Sequence, residues 1–193
     1  MNTFTEGKVM SEEVAMATIA ANQSVTEEII AGFQAQKDAE QAKLDHMLET
    51  GVITQAEYEK RVMDHGMHYS MMTQITQSAN DNINNIVATA ARENRELTSE
   101  EVVSMIGSYA TLASNSGKSL SDVAGAQDFL SANMQGMVDN VSLNALVQAG
   151  VISESAASQI GSLGSVQDKV GVLQGVIDYY NQTGIPSKSI YID

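Results

Sequence analysis

One short phrase, used twice, constrains the fold of this chain more than any other feature. An apolar stretch ends in GVIT at residues 51–54, and another ends in GVIS at residues 150–153. In each copy the glycine can adopt the left-handed conformation that closes a helix, and the final Thr or Ser can cap the next helix. The phrase therefore predicts helical hairpins. Because none of its residues is chemically reactive, it indicates an architecture and no activity.

The residue types favour an all-α fold of one or two domains. The chain has 193 residues, 43% of them apolar, with 5% aromatic residues, one proline and no tryptophan. Frequent Ala, Met, Gln, Glu and Ile favour helices, and this length can bury one core or two small ones. The absence of cysteine excludes disulfides, Cys-ligated zinc and thiol catalysis.

The charge of the chain limits its partners. A formal net charge of −14 with only 10 Lys and Arg argues against direct nucleic-acid binding, because that affinity comes mainly from counterions released by basic side chains. The best apolar candidate for a membrane segment, Val14–Ala21, is well short of the ~20 residues that cross a bilayer. The N-terminus also lacks the basic-then-apolar layout of a signal peptide. We expect no membrane span.

Cap signals and composition divide the chain into four parts. These are a leader with a short helix (1–23), a long helical hairpin (24–96), a compact helical bundle (97–182) and an extended tail (183–193). In the tail, Pro186 forbids helix continuation, and Ile190 and Ile192 alternate with polar residues in a strand-like pattern.

Two cap signals predict that the N-terminal helices are separate. Ser11 can cap a short helix that ends at about Ala21. Ser24 and Glu27 then form a Ser-x-x-Glu capping box, which predicts a new helix over about 25–50.

A second capping box, Thr54 with Glu57, opens a helix that meets no strong breaker before about residue 95. At ~1.5 Å per residue, a helix over 55–95 is about 60 Å long. Gly66 is the expected site of a bend. The apolar stripe of this helix follows a weak heptad: Val62, Tyr69, Thr76, Ile83 and Ala90, with Met72, Ala79 and Ile86 between them.

A third capping box, Thr98 with Glu101, opens the bundle with a helix to about Ser114. Its predicted core residues are Val102, Met105, Ile106, Tyr109 and Leu112. The segment Asn115–Ser119 is expected to form a loop. Further helices are predicted over about 120–134, 137–149, 154–162 and 166–181.

One cluster has the residue types of a metal site. His65 and His68 are three apart on the long helix, with Asp64, Met71 and Met72 nearby, and two imidazoles at this spacing can share one face. A third and fourth ligand are missing, because His46 on the preceding helix would lie nearer the hairpin turn than His65. We interpret the pair as surface or partly packed histidines and assign no metal.

Two glycine segments contain fragments of phosphate-binding loops. GSLGS at residues 161–165 lacks a preceding strand and the following Lys-Ser/Thr, and GKS at residues 117–119 lacks an upstream glycine at the required distance. Both are interpreted as helix connections. Carboxylates cluster in helix first turns, and no pair stands out as a general acid and base. We therefore assign no catalytic or cofactor-binding residue and expect a protein that is not an enzyme.

Longer stretches resemble segments of tail tape-measure proteins from long-tailed bacteriophages of Gram-positive hosts. These stretches are LDHMLETGVITQAEYEKRVMDH at residues 44–65 and NINNIVATAARENRELTSEEVVSMI at residues 82–106. Members of that family have helical hairpins with a G-x-I-T/S turn, a phrase like ENRELTSEE and a P-x-K-x-I-x-I end, which IPSKSIYID at Ile185–Asp193 matches. The resemblance covers most of residues 25–193. Because such proteins are usually far longer, it implies that this chain is a segment of one.

The resemblance implies a non-catalytic structural protein of the virion tail, present in the host cytoplasm during assembly. Such a protein lines the tail tube, sets its length and leaves during DNA delivery, with tail-tube and tail-tip proteins as partners. Two alternatives remain open. One is a stand-alone helical adaptor or chaperone-like interaction module, and the other is a metal-dependent enzyme centred on His65 and His68.

The long hairpin also predicts self-association. A helix of ~40 residues has more apolar surface than a partner helix of ~25 residues can cover. The surface in question lies along Val62, Tyr69, Met72, Ile83 and Ile86. We therefore expect an elongated particle and a homo-oligomer that forms through this hairpin.

Overall fold

The computed structural model describes residues 9–118, 123–126, 129, 138–148 and 150–183, and every regular element in these ranges is helical. The predicted all-α class, with a long hairpin followed by shorter helices, is confirmed. The helices are α1 (Glu12–Glu49), α2 (Gln55–Arg92), α3 (Ser99–Ser116), α4 (Asn140–Gln148), α5 (Glu154–Ser162) and α6 (Val166–Thr183). The predicted helix over 120–134 lies largely outside the described residues, and so does the tail after residue 183.

Helix α1 is one continuous helix, so the predicted break between Ala21 and Ser24 is wrong. Ser11 caps it as predicted, by accepting a hydrogen bond from the Val14 amide at 3.2 Å. The Ser24–Glu27 pattern does not start a helix, because no glycine or proline stops the preceding one. Packing also favours continuation, since Asn22 and Val25 are buried against the rest of the fold.

The turn after α1 has the predicted left-handed glycine. Gly51 has a φ of 71°, and the amide of Val52 donates to the Met47 carbonyl at 2.9 Å, which satisfies a free carbonyl at the end of α1. Thr54 then caps α2, and the capping box with Glu57 is complete in both directions. These predictions are confirmed.

Helix α2 ends at Arg92, three residues earlier than predicted. Asn94 adopts a left-handed φ of 51°, a conformation that asparagine tolerates better than most residues with a side chain. The amide of Arg95 then donates to the Ala90 carbonyl at 3.1 Å, as in a Schellman-type end. Between Gln55 and Arg92 the helix is uninterrupted.

Helices α1 and α2 form an antiparallel pair whose register is set by polar contacts. Asn22 contacts Asn84 near one end, and Gln41 contacts Tyr58 near the other. The predicted heptad of α2 faces this interface: Tyr69, Thr76, Ala79, Ile83 and Ala90 are buried, and Val62, Met72 and Ile86 are partly buried.

Helix α3 packs against the open end of the hairpin. Asn82 donates to Ser108 at 2.9 Å, and Asn115 donates to Thr76 at 2.9 Å, so α3 runs antiparallel to α2. All five predicted core residues of α3 are buried, and its capping box is present. The helix continues through Ser116, so the predicted loop begins two residues too early. Gly117, with a φ of 64°, ends it.

The shorter helices complete a single large core. The second copy of the turn phrase connects α4 to α5, with Gly150 at a φ of 70° and Ser153 as the cap, both as predicted. Side chains from α3 to α6 join those of the hairpin. Core members from α4, α5 and α6 include Leu143, Leu146, Ile160, Leu173 and Ile177.

The hairpin extends beyond this core. On α1 and α2 the main core stops at Phe33 and Tyr69. Farther out, Leu44 and Ile53 are buried but lie outside it. We call residues 34–68 the arm, and the remainder of the described structure the base.

Candidate functional site

The histidine cluster is spread over both helices of the arm. Nδ1 of His65 lies 3.0 Å from Oε2 of Glu40 on α1. His68 is exposed, and its ring meets that of Tyr69 edge-on with centroids 5.3 Å apart. His46 is exposed near the end of α1. Within the ranges that the structure describes, no three His, Cys, Asp or Glu side chains are grouped so that they could hold a metal ion.

A second polar contact joins the helices nearer the turn. The hydroxyl of Tyr58 donates to Oδ1 of Asp45 at 2.7 Å, and Nε2 of Gln41 donates to both groups. The hydrogen bond from Tyr58 lowers the pKa of Asp45 below its ordinary value, and the same bond raises the pKa of Tyr58. With the His65–Glu40 contact, these bonds hold the arm together where apolar burial is sparse.

The second glycine segment connects two helices, as predicted, and of the first segment the structure describes the helix end. Gly117 is the left-handed cap of α3, and Nζ of Lys118 lies 2.7 Å from Oε1 of Glu28, while residue 119 lies outside the described ranges. In the second segment Leu163 caps α5, and Ser165 accepts a hydrogen bond from the Asp168 amide in the first turn of α6 at 3.0 Å.

The phrase ENRELTSEE folds into an ionic clasp between α2 and α3. The Arg95 guanidinium donates to both oxygens of Glu101 at 2.7 Å and to Glu93 at 2.6 Å. Arg95 holds the pKa of Glu101 below its ordinary value. Because Glu101 also completes the capping box with Thr98, one carboxylate both starts α3 and fixes its angle to α2.

Polar side chains are buried along the base of the hairpin. They recur every fourth residue on each helix: Thr18, Asn22 and Thr26 on α1, and Thr76, Asn80 and the half-buried Asn84 on α2. Nδ2 of Asn22 donates to Oδ1 of Asn84 at 3.3 Å. Oγ1 of Thr26 and Oδ1 of Asn80 are buried without a hydrogen bond in the described part of the protein. We call these six residues the polar seam; like an asparagine in a coiled coil, it fixes register at the expense of stability.

A stripe of exposed apolar side chains follows the outer face of α2. Met63, Met67 and Met71 are each about 60% exposed, and Ile75 is 42% exposed. They recur every fourth residue and lie away from α1. We call these four residues the methionine stripe. The four-residue spacing is visible in the sequence, but the exposure of these side chains depends on which face α1 covers.

The methionine stripe leads into a groove between α2 and α3. The groove has a volume of about 570 Å³, and Ile75 belongs to both features. The other lining residues are small or neutral: Gln74, Ser78, Ala79, Asn82, Ser104, Gly107, Ser108 and Thr111. None of the lining residues that the structure describes for this groove is titratable.

The predicted basis for self-association is wrong. Helix α1 has 38 residues, so it is much longer than the ~25-residue partner that the cap signals predicted, and it pairs with α2 along its length. Tyr69 and Ile83 are buried, and Val62, Met72 and Ile86 are partly buried within the chain. The apolar surface that remains exposed on α2 is the methionine stripe, on another face.

No family model, curated protein or solved structure matches this chain. A further groove of about 700 Å³ lies between α4 and α5, and its described lining is neutral apart from Glu154. Every helix in the described ranges is too short or too polar to span a membrane.

Proposed function

We propose that this chain is a non-catalytic structural segment of a phage tail tape-measure protein, which contributes to tail assembly and to the determination of tail length. Its place would be the virion tail, after assembly in the host cytoplasm. The observation that carries the proposal is the hairpin itself. It consists of two 38-residue helices joined by residues 50–54, and it carries the first stretch that resembles the family and part of the second.

A helical rod suits the measurement of length. Each residue of an α-helix advances the chain by ~1.5 Å, so a 38-residue helix spans about 57 Å. The ratio of length to residue number is therefore fixed by backbone hydrogen bonding. The buried polar groups of the seam make the hairpin less stable than an apolar pair would be, which suits a chain that must leave the tail when DNA passes.

The proposed partners are the tail-tube and tail-tip proteins of the virion. A homo-oligomer through the hairpin is the competing arrangement, although the face first assigned to it is covered within the chain. The second candidate function is a stand-alone adaptor or chaperone-like module. The methionine stripe favours this candidate, because flexible thioether side chains adapt to partners of different shape.

Deletion of residues from the hairpin in the encoding phage tests the proposal. In-frame removal of equal numbers of residues from α1 and α2 should shorten the tail by about 1.5 Å for each pair of residues removed, one from each helix, as electron microscopy would measure. Gly66→Ala keeps the residue count and should leave tail length unchanged. Tails of normal length after deletion, or purified virions that lack the chain by mass spectrometry, would contradict the proposal and favour the adaptor.

A further inference from the structure

The outer face of α2 and the adjoining groove form one continuous surface. From Met63 to Asn82 it extends about 29 Å at ~1.5 Å per residue. Its first part offers long, flexible apolar side chains, and its second part is a trough between α2 and α3 that is lined mainly by small or neutral polar residues. A trough of this kind lets a helix approach closely, while the methionines can adjust to its apolar side chains.

The formally charged residues along the middle of this surface are acidic. Between Val62 and Ala91 on α2, and over all of α3, the sequence has no Lys or Arg. Asp64, Asp81 and Glu100 are exposed on these two helices. The nearest basic residues of α2, Lys60 and Arg61, precede the methionine stripe on the side of the hairpin turn.

This charge pattern favours one kind of binding partner for the surface over another. A second copy of the chain would bring another formal charge of −14 and would place acidic residues opposite acidic residues, which opposes association. Four exposed side chains are also fewer than a standard interface of about 800 Å² per partner requires. A single helix with basic flanks fits both the width of the surface and its charge.

We propose, whether or not the chain belongs to a phage tail, that this surface docks an amphipathic α-helix of another protein. The apolar face of that helix lies on the methionine stripe and its end enters the α2–α3 groove. Lys or Arg residues on its flanks face Asp81 and Glu100. The docked segment is about five turns long, which is the number that the length of the surface accommodates.

Two model peptides serve as probes. Both are acetylated and amidated, about 19 residues long, with leucines at helical spacing; one has lysine at the remaining positions and the other has glutamate. Fluorescence anisotropy gives the affinity of each peptide for the full chain. Methyl NMR of ¹³C-labelled methionines identifies the residues that each peptide contacts.

The lysine peptide should bind, shift the methyl resonances of Met63, Met67 and Met71, and bind more weakly as salt rises from about 0.05 M to about 0.5 M. Met16, at 65% exposure on α1, is the matched control, and its resonance should not shift. The double variant Met67→Gln/Met71→Gln should weaken binding by about tenfold or more, whereas Met16→Gln should leave it unchanged. Asp81→Asn/Glu100→Gln should reduce both affinity and its dependence on salt.

Three results would overturn the proposal. Equal binding of the lysine and glutamate peptides would remove the role of charge. Equal shifts at Met16 and at the stripe would show unspecific association, as would unchanged affinity in the Met67→Gln/Met71→Gln variant. Stripe resonances that move with protein concentration alone would assign the surface to a second copy of the chain.

Discussion

The two copies of the turn phrase have the same backbone and different surroundings. In both, the amide of the valine donates to a carbonyl five residues earlier at 2.9 Å, and the glycine has a φ near 70°. Yet Val52, at the tip of the arm, is 65% exposed, whereas Val151, in the base, is fully buried. Turn geometry is therefore a local property of these four residues, while burial is decided by what packs around them.

The largest effect is expected where the two turns differ. Val151→Ala should lower the free energy of unfolding by about 2 kcal/mol, because it removes fully buried methyl groups from the core. Val52→Ala should change it by less than about 0.5 kcal/mol, since its side chain is mostly in water. Urea unfolding of both variants measures the difference. Equal losses would mean that the tip of the arm is buried in solution.

Where the turns are alike, substitutions should act alike. Gly51→Val and Gly150→Val should each cost about 1 kcal/mol or more, because a β-branched residue is strained at positive φ. A Cβ at either position meets nothing within 4 Å, so strain is the whole effect. Gly66→Ala is the control. Its Cβ also has open space, but residue 66 lies inside α2, where alanine should raise the free energy of unfolding by about 0.5–1 kcal/mol. An unchanged midpoint for Gly51→Val would refute the local account.

The two capping boxes should lose their contributions to stability differently as the pH falls. The pKa of Glu57 is lowered mainly by its hydrogen bond from the Thr54 amide, and that of Glu101 mainly by Arg95. A lowered pKa means that the stabilisation is present above the ordinary value near 4.5 and is lost as pH falls through the folded-state pKa. Glu101→Gln should therefore lower the free energy of unfolding at pH 7 more than Glu57→Gln does. Below pH 4.5 it should also make the decline of that free energy with falling pH shallower than Glu57→Gln does. The check is urea unfolding across this pH range, and equal effects would show that the Arg95 clasp contributes nothing.

The arm should bind no metal tightly. His65 is directed to Glu40 and His68 is exposed beside Tyr69, so two imidazoles alone are available, and zinc sites need three or four ligands. Titration calorimetry with zinc and with copper should show no site tighter than about 1 μM. A stoichiometric nanomolar site that is lost in His65→Ala would revive the metalloenzyme hypothesis.

The features that could be predicted from the sequence are those that a few neighbouring residues decide. The caps at Thr54, Thr98 and Ser153 depend on hydrogen bonds within one turn, and the glycine turns depend on one φ angle. The Ser24 signal failed because a capping pattern inside a helix has no effect unless something stops the previous helix. Whether α1 continues past Ser24 depends on the packing around the buried Asn22, which involves residues distant in the sequence.

The exposed surface could not be predicted for the same reason. The spacing of Met63, Met67 and Met71 is a sequence property, but a stripe at that spacing suits a core as well as a surface. Which face of α2 meets α1 depends on a pairing between residues 62 apart, such as Asn22 and Asn84. The Arg95 clasp likewise required the left-handed turn at Asn94, whose type a sequence leaves open.

Small-angle scattering combined with light scattering shows whether the arm projects beyond the base in solution. A monomer of this length folded as a compact globule has a radius of gyration of ~16 Å. Because α1 and α2 each span about 57 Å, we predict a monomer with a radius of gyration clearly above that value and a maximum dimension of at least about 60 Å. A monomer at ~16 Å would contradict the account, since the arm would then be folded against the base.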